Sequence, residues 1–147
     1  MMMSTKSLSP QETHSLLSNN TEAIYIDVRT VAEFATGHPR AKVVNIPILF
    51  RHPSKEETYP NQSFLTVVED LYPKETPLVI GCGKGPRATQ AAEQLVAAGY
   101  ANVATLEGGY SGWKDNNLPT TKDNREGVSY VSLLMKVKRK GKKKAAH

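Results

Sequence analysis

The sequence predicts an α/β fold, a mostly parallel sheet covered by helices on both faces. Short runs rich in β-branched and aromatic residues alternate with runs of helical spacing along most of the chain, the pattern of strand–helix–strand units. Two helix starts carry capping boxes, Ser9 with Glu12 and Thr30 with Glu33, in which each side chain satisfies the other residue's backbone N–H. The strand-like run "PLVIG", residues 77–81, passes through a glycine-rich bend straight into a helical run. Binding sites in parallel sheets form at such carboxyl ends of strands.

The elements follow in order. Ser9 caps a helix whose first residue is Pro10 and which runs to about Asn19. "AIYIDV", residues 23–28, reads as a strand. Thr30 opens a short helix that ends near Gly37, and "KVVNI", 42–46, is the next strand. Residues 47–60, with Pro47, Pro53 and Pro60, read as a loop. Asn61 then caps a helix whose Phe64, Leu65, Val68 and Leu71 fall at helical spacing. After "PLVIG", a helix over "RATQAAEQLVAAG" is closed by Gly99. "NVATLE", 102–107, is the last strand, and "GGYSGWKDNNLP" makes a turn, a short helix and a stop at Pro119.

The 147 residues suffice for one domain with a sizeable core. The net charge of +5 is concentrated: seven of the 19 Lys and Arg residues lie in "KVKRKGKKK", residues 136–144. Without them 12 basic residues face 14 acidic ones, a body of about −2. The expected organisation is an N-terminal extension over 1–7, a domain over 8–120 and a basic, flexible tail over 121–147. That tail could attract a weak anionic partner, a membrane or nucleic acid, though an obligate nucleic-acid ligand is not expected. The sequence shows no signal-peptide pattern and its single cysteine allows no internal disulfide, so a cytoplasmic, reducing home is expected.

That cysteine carries the functional expectation. Cys82 stands on the bend after "PLVIG", followed by Gly83, Lys84, Gly85, Pro86 and Arg87. A sharp strand-to-helix turn aims backbone N–H groups into its concavity, and the positive end of the next helix reinforces them. A thiol there, beside Lys84 and Arg87, should have a lowered pKa and act as a nucleophile. Gly83 and Gly85 allow close backbone approach, and Pro86 stiffens the bend. The plainer reading is a core cysteine packed as a small hydrophobe; the glycines and cations after it are poor company for that role.

"CGKGPR" resembles the active-site loop of rhodanese domains, a Cys, two residues, Gly, one residue and Arg. "YIDVRTVAEFATGHPRAKVVNIP" resembles that family's first signature and "LEGGYSGWKDNNLPT" its closing one, so the resemblance spans residues 8–120. It implies a rhodanese-like three-layer fold and the activity of a single-domain thiosulfate sulfurtransferase. Cys82 would take sulfur from a small anionic donor as a persulfide and pass it to cyanide or a thiol, with no cofactor or metal. Gly83, Lys84, Gly85, Pro86 and Arg87 would bind substrate, while Asp27 and Arg29, matching the family's "DVR", would brace the site. Arg87 could instead pair with Glu33, Glu107 or another acid, and His38 would fix its turn. The chain departs from the family at Ala88, where Ser or Thr often stands, and at "PRAKV" after His38.

Three other readings stand beside this one. A cysteine phosphatase or arsenate reductase needs five residues between Cys and Arg to wrap an oxyanion, and only four intervene here. Mercaptopyruvate sulfurtransferases share the "CG" start but usually lack the arginine. A persulfide carrier that docks on a partner uses the same chemistry and is poorly separated by sequence.

Overall fold

The structure is a computed structural model that describes residues 6–52, 54–83, 85–125 and 127–145, with side chains through residue 137. Five parallel strands, β1 (Lys6–Leu8), β2 (Ile24–Asp27), β4 (Val43–Asn45), β7 (Leu78–Gly81) and β8 (Val103–Leu106), pair in the order β1-β8-β7-β2-β4. β2 and β7 are central, so the two strands whose ends bear Asp27 and Cys82 lie side by side, Asp27 opposite Gly81. Their near-continuous apolar character follows from burial on both faces.

Strand side chains alternate between two helix layers. Ile26, Val44, Leu78 and Ile80 pack with Phe64, Val68, Ala91 and Leu95 from α3 (Phe64–Leu71) and α4 (Pro86–Ala97). Tyr25, Val43, Val79 and Leu106 pack with Leu17, Phe34 and Trp113 from α1 (Pro10–Asn19), α2 (Val31–Ala35) and α5 (Gly109–Asp115). Both capping boxes form as the sequence predicts, at Ser9–Glu12 and Thr30–Glu33. Gly99, at φ +104°, follows the end of α4 in the conformation glycine tolerates best.

Four expectations change. Residues 47–60 are not all loop: β5 (Leu49–Arg51) and β6 (Thr58–Pro60) form an antiparallel hairpin. Asn61 does not cap α3 from the N-cap position; its Oδ1 accepts from the Ser63 N–H, while Nδ2 donates to Pro47 O and Tyr130 Oη. The boundary at residue 7 cuts through β1, which pairs with β8 over Lys6–Leu8. The boundary at residue 120 cuts through β9 (Thr120–Thr121), which pairs with β3 (His38–Pro39). Beyond it, α6 (Tyr130–Ala145) buries Tyr130 and Leu133 in the core beside α3. Residues 128–137 are therefore part of the domain. Apolar "VSYVSLLM" closes the core before the cations begin, and charge had masked that in the sequence. Among the described residues no helix is long and apolar enough to cross a membrane.

Candidate active site

Cys82 follows the last residue of β7, and its burial follows from strand parity. Leu78, Ile80 and Cys82 share one face of the sheet, the α3–α4 side, with Val79 on the other. Cys82 is accordingly 1% exposed. The chain then bends into α4 through Gly85, whose φ is +137° and whose N–H donates to Cys82 Sγ at 2.9 Å. Only glycine adopts that φ without steric cost. Pro86 starts the helix, where its missing N–H is no loss. The sulfur thus lies at the positive end of a 12-residue helix, in contact with one of its free donors.

The bend is held from behind by α5. The Tyr110 N–H donates to Cys82 O at 2.7 Å, and the Ser111 N–H to Gly83 O at 3.1 Å. Gly109, at φ +60°, touches these same carbonyls, and a Cβ there would overlap both. Below the bend, a Cβ on Gly81 would run into the hydroxyl of Tyr25. That hydroxyl is buried with no hydrogen-bond partner among the described residues, and burial pushes its phenol far above the ordinary range. Gly108–Gly109 reads from sequence only as a turn. Its role in holding the Cys82 bend was the functional element that local reasoning missed, and the doubled glycine was its one available signal.

Asp27 and Arg29 lie on the opposite face of the sheet from the thiol. Both are buried, Arg29 being 5% exposed. Arg29 Nε and Nη2 donate to the Asp27 carboxylate at 3.0 and 2.8 Å, and Nη2 also reaches Gly37 O. The guanidinium carbon sits 4.5 Å from the centre of the Tyr110 ring. Arg29 therefore joins the end of β2 to the turn after α2 and to the helix that holds the Cys82 carbonyl. His38 stacks on Phe34 at 3.8 Å, and its Nε2 lies 2.7 Å from Asp123 O. It ties its turn to the segment after β9. The "PRAKV" stretch accordingly enters the β3–β9 bridge, with the Arg40 N–H donating to Pro119 O.

Of the acids open to it, Arg87 pairs with Glu33. Nη1 and Nη2 donate to the two Glu33 oxygens at 2.7 and 3.1 Å, a fork-to-fork ion pair. Arg87 holds the Glu33 carboxyl down to about 2, chiefly by these hydrogen bonds. Of the loop's two cations, then, Arg87 is engaged by a carboxylate, and Lys84 lies outside the described residues. The guanidinium remains beside the loop: Nη2 is 3.6 Å from where a Cβ on Gly83 would be. Ala88 is fully buried in the cluster that contains Cys82, so a hydroxyl there would need a partner inside the core.

The site is thus a thiol on a strand-to-helix bend of a central parallel sheet, with a helix N-terminus at its sulfur. The sequence fits the rhodanese-like domain over residues 9–116. The chain belongs to the rhodanese family.

Among its relatives, thiosulfate sulfurtransferase 18 of Arabidopsis thaliana is 40% identical over 103 residues, covering 69% of this chain and 74% of that protein. Thiosulfate sulfurtransferase GlpE of Haemophilus influenzae is 31% identical over 117 residues, covering 80% of this chain and 95% of that one. The chain spans half the length of another relative, the senescence-associated protein DIN1 of Raphanus sativus, at 38% identity over 95 residues, 65% of this chain. The fold is shared with the crystal structure of Rv0390 from M. tuberculosis, at TM-score 0.68 and 24% identity over 82% of this chain and all of that one. It is also shared with a polysulfide-sulfur transferase homodimer from Wolinella succinogenes, at TM-score 0.64 and 24% identity over 80% of this chain and 78% of that one. This rhodanese-like domain is thus a member of a sulfurtransferase family, with homologues named as thiosulfate sulfurtransferases.

Proposed function

We propose that this protein transfers sulfane sulfur from thiosulfate to a thiol or cyanide acceptor, carrying it as a persulfide on Cys82. The Cys82 thiolate attacks the outer sulfur of thiosulfate. A Cys82 S–S bond forms, the S–S bond of thiosulfate breaks, and sulfite leaves with that electron pair. In the second half, an acceptor thiolate or cyanide attacks the outer sulfur of the persulfide. The new bond joins acceptor and sulfur, the Cys82 S–S bond breaks, and the electron pair returns to Cys82. The reaction is redox-balanced and needs only thiol and substrates.

One observation carries the reading: the chain's single thiol receives the Gly85 N–H at the start of α4. Negative charge sits on that sulfur before attack on the donor and again after transfer to the acceptor. A donor already aimed at it needs no reorganisation at either moment. The Cys82 and Gly83 carbonyls are engaged by the Tyr110 and Ser111 N–H groups of α5, so their negative ends are already satisfied by donors outside the bend. Asp27 and Arg29 act as positioning residues through Tyr110.

The test is mass spectrometry after thiosulfate treatment. The protein gains the mass of one sulfur atom on the Cys82 peptide, and cyanide or a thiol removes it. Cys82→Ser keeps the fold and gains nothing. A wild-type protein that turns over thiosulfate without sulfur ever appearing on Cys82 would overturn the mechanism. Phosphatase activity lost in Cys82→Ser would replace it.

A further inference from the structure

The β5–β6 hairpin builds one wall of a cleft beside the Cys82 loop. Leu49, Arg51 and Thr58 on the hairpin face Thr30 and Glu33 at the start of α2, and Arg87 closes the side nearest the loop, around about 370 Å³. The hairpin is held in place by Phe50, whose ring lies 6.0 Å from that of the buried Tyr130 of α6. The Asn61 N–H also donates to Ile48 O at the hairpin's base. The cleft is thus a feature of the folded domain.

Its charge is not balanced. Arg87 and Glu33 neutralise one another, and Thr30 is committed to the same carboxylate. Arg51 makes no ion pair among the described residues, and the Thr58 hydroxyl has no partner there either. Leu49 and Ala32 add apolar wall. One unpaired guanidinium, a hydroxyl and a small apolar surface suit a carboxylate on a short aliphatic arm.

We propose that Arg51 is the specificity-determining residue for the sulfur acceptor, holding the carboxylate of an acidic thiol while its sulfur reaches Cys82. The proposal rests on the sulfurtransferase reading above. Arg51 and Arg87 line the same cleft, and Cys82 is not part of its wall. Thiosulfate carries all its oxygens on the atom bonded to the reacting sulfur, so it offers Arg51 no anionic group remote from that sulfur. A thiol whose carboxylate is several bonds away does. Attack by that thiolate on the persulfide follows the electron count already given, and Arg51 contributes only binding.

The test uses the full chain, preloaded with thiosulfate, in single turnovers with ω-mercaptoalkanoates of increasing length and the matching mercaptoalcohols. The wild type prefers the acid to the alcohol at one favoured length. In Arg51→Gln that ratio falls about fivefold through the half-saturating acceptor concentration, the size of an exposed charge pair, and Arg51→Lys restores part of it. Comparing ratios cancels differences in thiol reactivity and in folding. Loading of Cys82 with an acid-to-alcohol ratio unmoved by Arg51→Gln overturns the acceptor site alone. Failure of the wild type to load sulfur overturns the sulfurtransferase reading beneath it.

Discussion

Glu33 binds Arg87 with both carboxylate oxygens across 54 residues of sequence while capping its own helix. Its Oε1 accepts from Thr30 N–H, Thr30 Oγ1 and Arg87 Nη1. One carboxylate thus fixes the start of α2 and the side chain that follows the Cys82 bend.

This pair predicts an acid-sensitive contribution to stability. Glu33 is held from 4.5 down to about 2 in the fold, so its stabilisation is complete above the unfolded value and is lost as pH falls through about 2. The Glu33 side chain is 42% exposed, which limits the effect to about 1 kcal/mol. Urea unfolding of Glu33→Gln against wild type measures it: the gap is present at pH 7 and closes towards pH 2. An equal gap at both pH values would refute the assignment.

Removing Arg29 should cost far more. Arg29→Met leaves the Asp27 carboxylate fully buried without its partner, a loss of about 3–5 kcal/mol. Arg29→Met combined with Asp27→Leu removes the orphan charge and should regain part of that loss. Chemical denaturation of the two variants checks both the size and the order.

Two glycines separate backbone strain from collision. Gly99 has open space where a Cβ would go, so Gly99→Ala costs only the positive φ, about 1 kcal/mol. Gly109 adds overlap with the carbonyls of Cys82 and Gly83, so Gly109→Ala should cost about 2–4 kcal/mol. It should also slow sulfur loading of Cys82, which Gly99→Ala leaves unchanged. Thermal melts and loading rates of both variants decide it.

Chain ends placed after residue 137 and after residue 127 should behave differently. The first keeps Tyr130 and Leu133 in the core, so stability changes little. The second exposes that pocket and removes the Tyr130 hydroxyl from Asn61, for a loss of about 3 kcal/mol or more. It should also loosen the hairpin that packs on Tyr130. Melting temperatures of the two shortened chains provide the comparison.

Much of the fold was legible because its signals are local. The capping boxes at Ser9 and Thr30, Pro10 and Pro86 at helix starts and Gly99 after α4 act within a turn or two of chain. The hairpin was hidden because Pro53 and Pro60 read as breakers, yet Pro60 ends β6 at the hairpin's edge and Pro53 lies outside the described residues. Proline is tolerated at such an edge. The α6 core contacts were hidden because the apolar residues 128–137 run straight into the cation cluster.

The sequence by itself determined the alternation of strand and helix, the bend that carries the lone thiol and the helix start that faces it, since each depends on neighbouring backbone. Tertiary structure alone decided that Cys82 is buried, that Arg87 turns to Glu33 and that Arg51 lines a cleft without an ion pair among the described residues. Several acids could have met Arg87. Which one does is set by how β2 and β7 lie side by side and bring α2 and α4 together, and a charge pair's partner is chosen by proximity in space.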